Sequence, residues 1–173
     1  LLEQKMQQKD SVGGVIACVV KGLPAGVGEP VFEKLDANLA KAVMSIGAIK
    51  GIEIGDGFAA AGRYGSENND SFRMQDGRVV KETNHAGGIL GGISDGSDIV
   101  LRAAVKPTPS IAQTQKTVNR AGEEIEITIR GRHDPVIVPR AVVVVEAMTA
   151  LTLADALLVS MTSRLDGIRR FFS

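Results

Sequence analysis

The sequence predicts an α+β fold in which sheets and helices form layers. Three observations carry this: glycine-bounded apolar runs at 13–22 and 48–58, a helical periodicity that begins at Pro30, and a long apolar run, 141–159, placed after a further group of strand candidates. Strands and helices group instead of alternating regularly, which argues against a doubly wound sheet. A chain of 173 residues, 44% of them hydrophobic, is long enough for one compact domain with its own core. No repeat of solenoid period and no low-complexity linker divides it.

The elements follow in order. The opening "LLEQKMQQKD" has neither the basic start nor the apolar centre of a secretory signal, and it reads as the interior of something longer. "GGVIACVVKG" is a buried strand and "LPAGVGEP" a loop. Pro30 suits the first turn of a helix running to about Ile46. Val31, Phe32, Leu35, Leu39, Ala42, Val43 and Ile46 would form its apolar face, with Glu33, Lys34, Asp36 and Lys41 in solvent. "AIKGIEIGDGF" is a strand closed by a Gly-Asp-Gly turn. The polar stretch 65–84 contains a hairpin signal, Asp76-Gly77, but no sustained apolar face, and reads as a mobile excursion. "GGILGGIS" and "DIVLRAAVKP" are two strands around Asp95-Gly96. "EEIEITIRG" alternates as a further strand, and a long helix begins near Pro139.

That helix approaches membrane-spanning length. Glu146 and Asp155 interrupt it nine residues apart, on opposite sides of a helix, and each would cost about 2.5–3.5 kcal/mol at a bilayer centre. A buried core helix is therefore expected. Twenty basic and 20 acidic residues cancel, so no overall field draws the chain to nucleic acid or to anionic lipid. The single cysteine, Cys18, cannot form an internal disulfide and points to a reducing compartment, the cytoplasm. Two histidines, His85 and His133, with one cysteine make no zinc pattern.

Glycine numbers 20 of 173 residues, about 12% against an average of roughly 7%. In "NHAGGILGGISDG" the spacing fits neither the Walker loop nor the G-x-G-x-x-G turn. Gly87, Gly88, Gly91 and Gly92 either allow bulges and tight packing or let a ligand approach the backbone. In "KPTPS" the prolines stiffen an edge that presents Lys106, Thr108 and Ser110. This is either an anion clamp or a strand end kept from further pairing. "RGRHDPVIVPR" gathers Arg130, Arg132, His133, Asp134 and Arg140, a set suited to anion recognition and proton transfer, or to a solvated turn. No G-x-S-x-G nucleophile elbow is present.

Taken in order, "GIEIGDGF", "NHAGGILGGISDG", "KPTPS" and "GRHDPVIVPRAVVVVEAM" resemble chorismate synthase, from about Gly13 to Leu158. The resemblance implies a β-α-β sandwich, usually assembled as a homotetramer. It also implies a lyase that eliminates phosphate from 5-enolpyruvylshikimate 3-phosphate to give chorismate, with reduced FMN required although no net redox change occurs. It places Gly47, Ala48, Gly91, Lys106, Pro107, Thr108, Pro109, Ser110 and Arg132 at flavin-contacting positions, and Asp134 beside the flavin as an aid to proton removal. Family members are about twice as long, so the chain would correspond to their C-terminal portion, 1–173, with 65–84 as a mobile loop. The absent N-terminal half carries two functional histidines, which neither His85 nor His133 matches, and several substrate-binding arginines. Two points stay open: whether NADPH reduces the flavin on the protein itself, and whether this chain alone is a non-catalytic anion-binding or subunit-assembly module.

Overall fold

A computed structural model of the chain describes residues 2–131, 133–163 and 165–173. A short helix α1 (Leu2–Gln7) leads into β1 (Gly14–Val20), α2 (Leu35–Met44) and β2 (Ile49–Ile54). After a 3-10 turn (Gly57–Gly62) come α3 (Gly65–Asn68), β3 (Phe72–Gln75), β4 (Arg78–Lys81), β5 (Ile89–Leu90), β6 (Ile93–Ser94) and β7 (Ile99–Val105). The chain ends with β8 (Thr114–Val118), β9 (Glu124–Thr128), α4 (Val138–Thr162) and α5 (Leu165–Phe171).

The frame is an antiparallel sheet in the order β1-β7-β2. Strand β7 is central, and its alternate residues Ile99, Leu101, Ala103 and Val105 are buried, as the two-residue period of a strand requires. Helices α2 and α4 pack on that face and on each other, joining one core cluster. Helix α2 contributes Leu35, Leu39 and Val43, spaced by four, and α4 contributes Val145, Thr149 and Leu153 at the same spacing. Sheet and helix therefore form two layers, in agreement with the α+β expectation.

Several expectations are corrected. Helix α2 starts at Leu35 and not at Pro30. Val31 and Phe32 are 74% and 91% exposed, so their helix-like spacing from Leu35 is coincidental. The first helical amide, Leu35 N–H, donates to the Gly92 carbonyl at 2.9 Å, which satisfies a donor that the helix itself cannot. "GGILGGIS" is not one strand: β5 and β6 fold back on each other around Gly91 and Gly92, whose φ values are 60° and 87°. Strand β8, polar except for Val118, was not expected. It pairs with β9 in a hairpin that joins no other sheet. Helix α4 is long and apolar enough to cross a membrane by length and composition, yet it is not enclosed. Only its Val145, Thr149 and Leu153 stripe is buried, because α2 and the sheet cover one side, while Val143, Leu151 and Leu158 face outward.

The polar stretch 65–84 forms α3 and the β3–β4 hairpin, which turns at Asp76-Gly77 with both φ values positive, as its hairpin signal predicted. Just beyond it, the backbone crosses β2 very closely. The Asp56 N–H donates to the His85 carbonyl at 2.8 Å. A Cβ on Gly55 would collide with the His85 carbonyl, and one on Gly87 with the Gly55 backbone.

Candidate functional site

The two ends of β7 carry different chemistry. At the Val105 end, the strand runs into "KPTPS", and the Lys106 N–H donates to the Ala48 carbonyl at 2.9 Å. This bond brings Gly47 and Ala48, in the turn between α2 and β2, beside Lys106. Ala48 holds a positive φ of 72°, unusual for a residue with a side chain, and a Cβ on Gly47 would meet open space. Lys106 is exposed.

The segment preceding β1 joins this loop to the next one. The Ser11 hydroxyl donates to the Thr108 carbonyl at 2.7 Å, and the Val12 N–H donates to the Pro135 carbonyl at 2.8 Å. Ser110, Asp134 and His133 thereby come to line one cavity of about 200 Å³ with Lys9, Asp10 and Ser11. The Asp10 carboxyl is held below its usual value by the Ser11 N–H and then by Lys5. Asp134 pairs with Arg140 at 2.6 Å.

Two polar atoms in these loops, Thr108 Oγ1 and His133 Nε2, are buried without a partner among the described residues. A buried group left in this way costs free energy, and the cost is recovered when a ligand supplies the missing hydrogen bond. Of the residues predicted to touch a flavin, Gly47, Ala48 and 106–110 are brought together, and Ser110 at the end of this run shares the cavity with Asp134. Arg132 lies outside the described residues. Gly91 stands apart, in the β5–β6 turn beside the start of α2, roughly the 20 Å length of β7 away from Lys106.

At the Ile99 end, the polar groups close on themselves. Lys81 Nζ donates to Asp95 at 2.7 Å, to Asp70 at 3.2 Å and to Asn84 Oδ1 at 3.2 Å. The side chains of Lys81, Asp70 and Asp95 are only 3%, 4% and 8% exposed. Burial alone would raise the Asp70 pKa. The Ala86 N–H, the Thr83 hydroxyl, the His85 N–H and Lys81 together outweigh that and hold it far below the ordinary carboxylate range. Asp95 is lowered in the same way, burial being outweighed by Lys81 and the Ser97 N–H. Nearby, His85 Nδ1 lies 2.7 Å from Asp56, which also pairs with Arg63 at 3.0 Å.

Another cavity, of about 280 Å³, lies between α2 and α4 and contains none of the predicted residues. Among the described residues no cluster of His, Cys, Asp or Glu could hold a metal ion. Ser11 and Val12 were not predicted as site residues, whereas His133 stood among the candidates of "RGRHDPVIVPR". Ser11 and Thr108 are 97 positions apart, so no local pattern could have paired them.

Comparison with known proteins is consistent across sequence and structure. A family model described as chorismate synthase matches residues 1–158. The chain is 66% identical over 170 residues to a chorismate synthase of Lachnospira eligens, covering 98% of this chain and 46% of that protein. It is 66% identical over 150 residues to one of Archaeoglobus fulgidus, covering 86% of this chain and 42% of that protein. A solved structure, "Crystal Structure of Chorismate Synthase", superposes with a TM-score of 0.76 at 36% identity, covering 92% of this chain and 41% of that one. The chain spans about half the length of the curated relatives it matches. On the strength of the matched family model, the chain belongs to the chorismate synthase family.

Proposed function

We propose that the protein carrying this chain is a chorismate synthase, a lyase that eliminates phosphate from 5-enolpyruvylshikimate 3-phosphate and uses reduced FMN. The observation that supports this best is the meeting of Ala48, the Lys106–Ser110 loop and Asp134 at one end of the sheet, with Thr108 Oγ1 buried and unpartnered among them. These residues fit a flavin. Thr108 and Ser110 offer hydroxyls to a polar tail, exposed Lys106 offers a charge to its phosphate, and Gly47 leaves room beside it. When bound, reduced FMN supplies the electron density that lets the carbon–oxygen bond to phosphate break without net redox change.

The chain's own residues then have three tasks. Lys106 and the two hydroxyls bind and orient. Asp134, at the wall of the cavity, takes the proton that leaves the ring carbon. A carboxylate in this role contributes on the order of 10²–10⁴ in rate. Arg140, which pairs with Asp134, and Arg130 add positive charge where an anionic substrate would arrive. Because the chain covers under half of its relatives, we assign to it one part of the active site, completed by the segment the relatives carry in addition. Gly91, in the β5–β6 turn, stands apart from Lys106, which lies beyond the other end of β7. We therefore assign it to a site formed with another copy in a homotetramer. The cytoplasm is the compartment that best suits the lone Cys18.

The alternative, a non-catalytic module that binds an anion or assembles subunits, is favoured by the same partial coverage. Protein expressed from the complete reading frame, supplied anaerobically with reduced FMN and 5-enolpyruvylshikimate 3-phosphate, separates the two. The lyase releases inorganic phosphate, and Asp134→Ala lowers turnover by about 10² or more while FMN still binds. Absence of phosphate release would sink the lyase reading, and unchanged turnover in Asp134→Ala would remove Asp134 from the mechanism.

A further inference from the structure

We infer that Ser11 is a positioning residue. Together with Val12 and Gly13, it sets the spacing between the Lys106–Ser110 loop and the loop carrying Asp134. The inference deepens the proposed function and rests on it for its catalytic meaning, but the geometry stands by itself. Three successive residues make three different contacts. The Ser11 hydroxyl donates to the Thr108 carbonyl at 2.7 Å, which pins the middle of "KPTPS". The Val12 N–H donates to the Pro135 carbonyl at 2.8 Å, which pins the residue after Asp134. Gly13 lies so close to the first loop that a Cβ there would strike the Val105 carbonyl and press on Pro107 Cδ at 3.1 Å. One short stretch therefore holds both loops, and β1, which follows at once, ties it to the central strand.

Among the described residues no other hydrogen bond ties one loop to the other, although Ile137 and Val138, just beyond Asp134, pack against the core. Within "KPTPS", Pro107 and Pro109 have no N–H to donate. The loop's other bonds are those of the Lys106 N–H to Ala48, the Ile111 N–H to Pro109 and the Gln115 amide to Pro109. On the other side, among the described residues Asp134 pairs with Arg140, which is 72% exposed, a bond that solvent weakens. The spacing of the two loops thus depends on Ser11 and Val12, and a site loose by an ångström loses much of its rate. Ser11 itself is fixed from behind, since its N–H donates to Asp10 Oδ1 at 2.8 Å.

The test uses Ser11→Ala and Ser11→Thr in protein expressed from the complete reading frame. Ser11→Ala deletes one neutral hydrogen bond and no bulk, so the fold is retained. Amide hydrogen exchange without any ligand is measured first, at the Val12 and Ile111 N–H groups. Ser11→Ala is expected to speed exchange at both by about threefold to tenfold, the range of one such bond, with Ser11→Thr returning to the wild-type rates. Turnover is then measured at saturating FMN. A positioning role lowers kcat in Ser11→Ala by about tenfold, a loss that added FMN does not restore, whereas Ser11→Thr recovers it. Unchanged exchange at both amides overturns the inference whether or not the wild type binds FMN. If exchange responds but wild-type protein neither binds FMN nor releases phosphate, the staple stands as a structural fact and the catalytic reading falls.

Discussion

The two ends of strand β7 solve opposite problems with similar residues. Beyond Ile99, a lysine and two aspartates are withdrawn from water and satisfy one another, with Asn84 taking the third ammonium proton. Beyond Val105, a lysine and an aspartate stay near solvent, and the buried polar atoms beside them, Thr108 Oγ1 and His133 Nε2, have no partners among the described residues. A polar network that is complete within the chain has nothing left to offer a ligand. One that is incomplete is costly until something arrives. The position of a charged residue in the sequence says little about which case applies. The number of donors and acceptors that remain uncommitted says much more.

This contrast can be broken by substitution, and the largest effect is expected at the closed end. Lys81→Met would leave Asp70 and Asp95 buried without their cation. Stability measured by urea unfolding should fall by about 3–5 kcal/mol, while FMN affinity of the protein that remains folded changes little. A loss below about 1 kcal/mol would mean that the node is more hydrated than its 3–8% exposures imply.

At the open end the balance reverses. Lys106→Ala removes an exposed charge and should leave unfolding within about 0.5 kcal/mol of wild type. FMN titration should show binding weakened by about threefold to tenfold. Equal affinity in both proteins would reject the clamp, and a large stability loss would erase the distinction between the ends.

The smallest effect sharpens the comparison through pH. The folded Asp70 and Asp95 carboxyls titrate below their usual value of 3.8, so the stabilisation they bring is present above that value. It is lost only as pH falls below it, through the folded pKa values. Exchange protection of the His85 and Ala86 amides, both bonded to Asp70, should therefore hold constant from neutral pH down to about 4 and decline only below. A decline already well above about pH 4 would mean that these bonds do not hold the two carboxyls down.

Much of the fold could be read from periodicity. The spacing of Leu35, Leu39 and Val43, the apolar run that forms β7 and the Asp76-Gly77 turn all reappear where local pattern placed them. Errors arose where two local signals competed. Pro30 announces a helix start, but the chain makes further turns before Leu35, and Val31 and Phe32 copy the helical period while facing solvent. In "GGILGGIS", β-forming residues suggested one strand, although the central Gly91-Gly92 pair is itself a hairpin signal. Strand β8 escaped notice because all its residues but Val118 are polar and neither of its faces is buried.

The candidate site was legible only in part, and for a different reason. "KPTPS" and Asp134 stand out by residue type, but their meeting depends on Ser11 and Val12, whose partners lie about a hundred positions away. A serine before two glycines carries no mark of that duty. The outward face of α4 was misjudged on similar grounds, since composition records how apolar a helix is and not how many sides are covered.

The crossing of Gly55 and Gly87 has a consequence for how this sequence can vary. Each glycine occupies the space that a side chain on the other segment would need, and both hold positive φ, 59° and 67°. A change at one cannot be accommodated by shrinking the other, because there is nothing smaller than glycine. The pair therefore has no stepwise route to any alternative, and homologous chains that keep this crossing are confined to the same two residues, however far the surrounding loops drift.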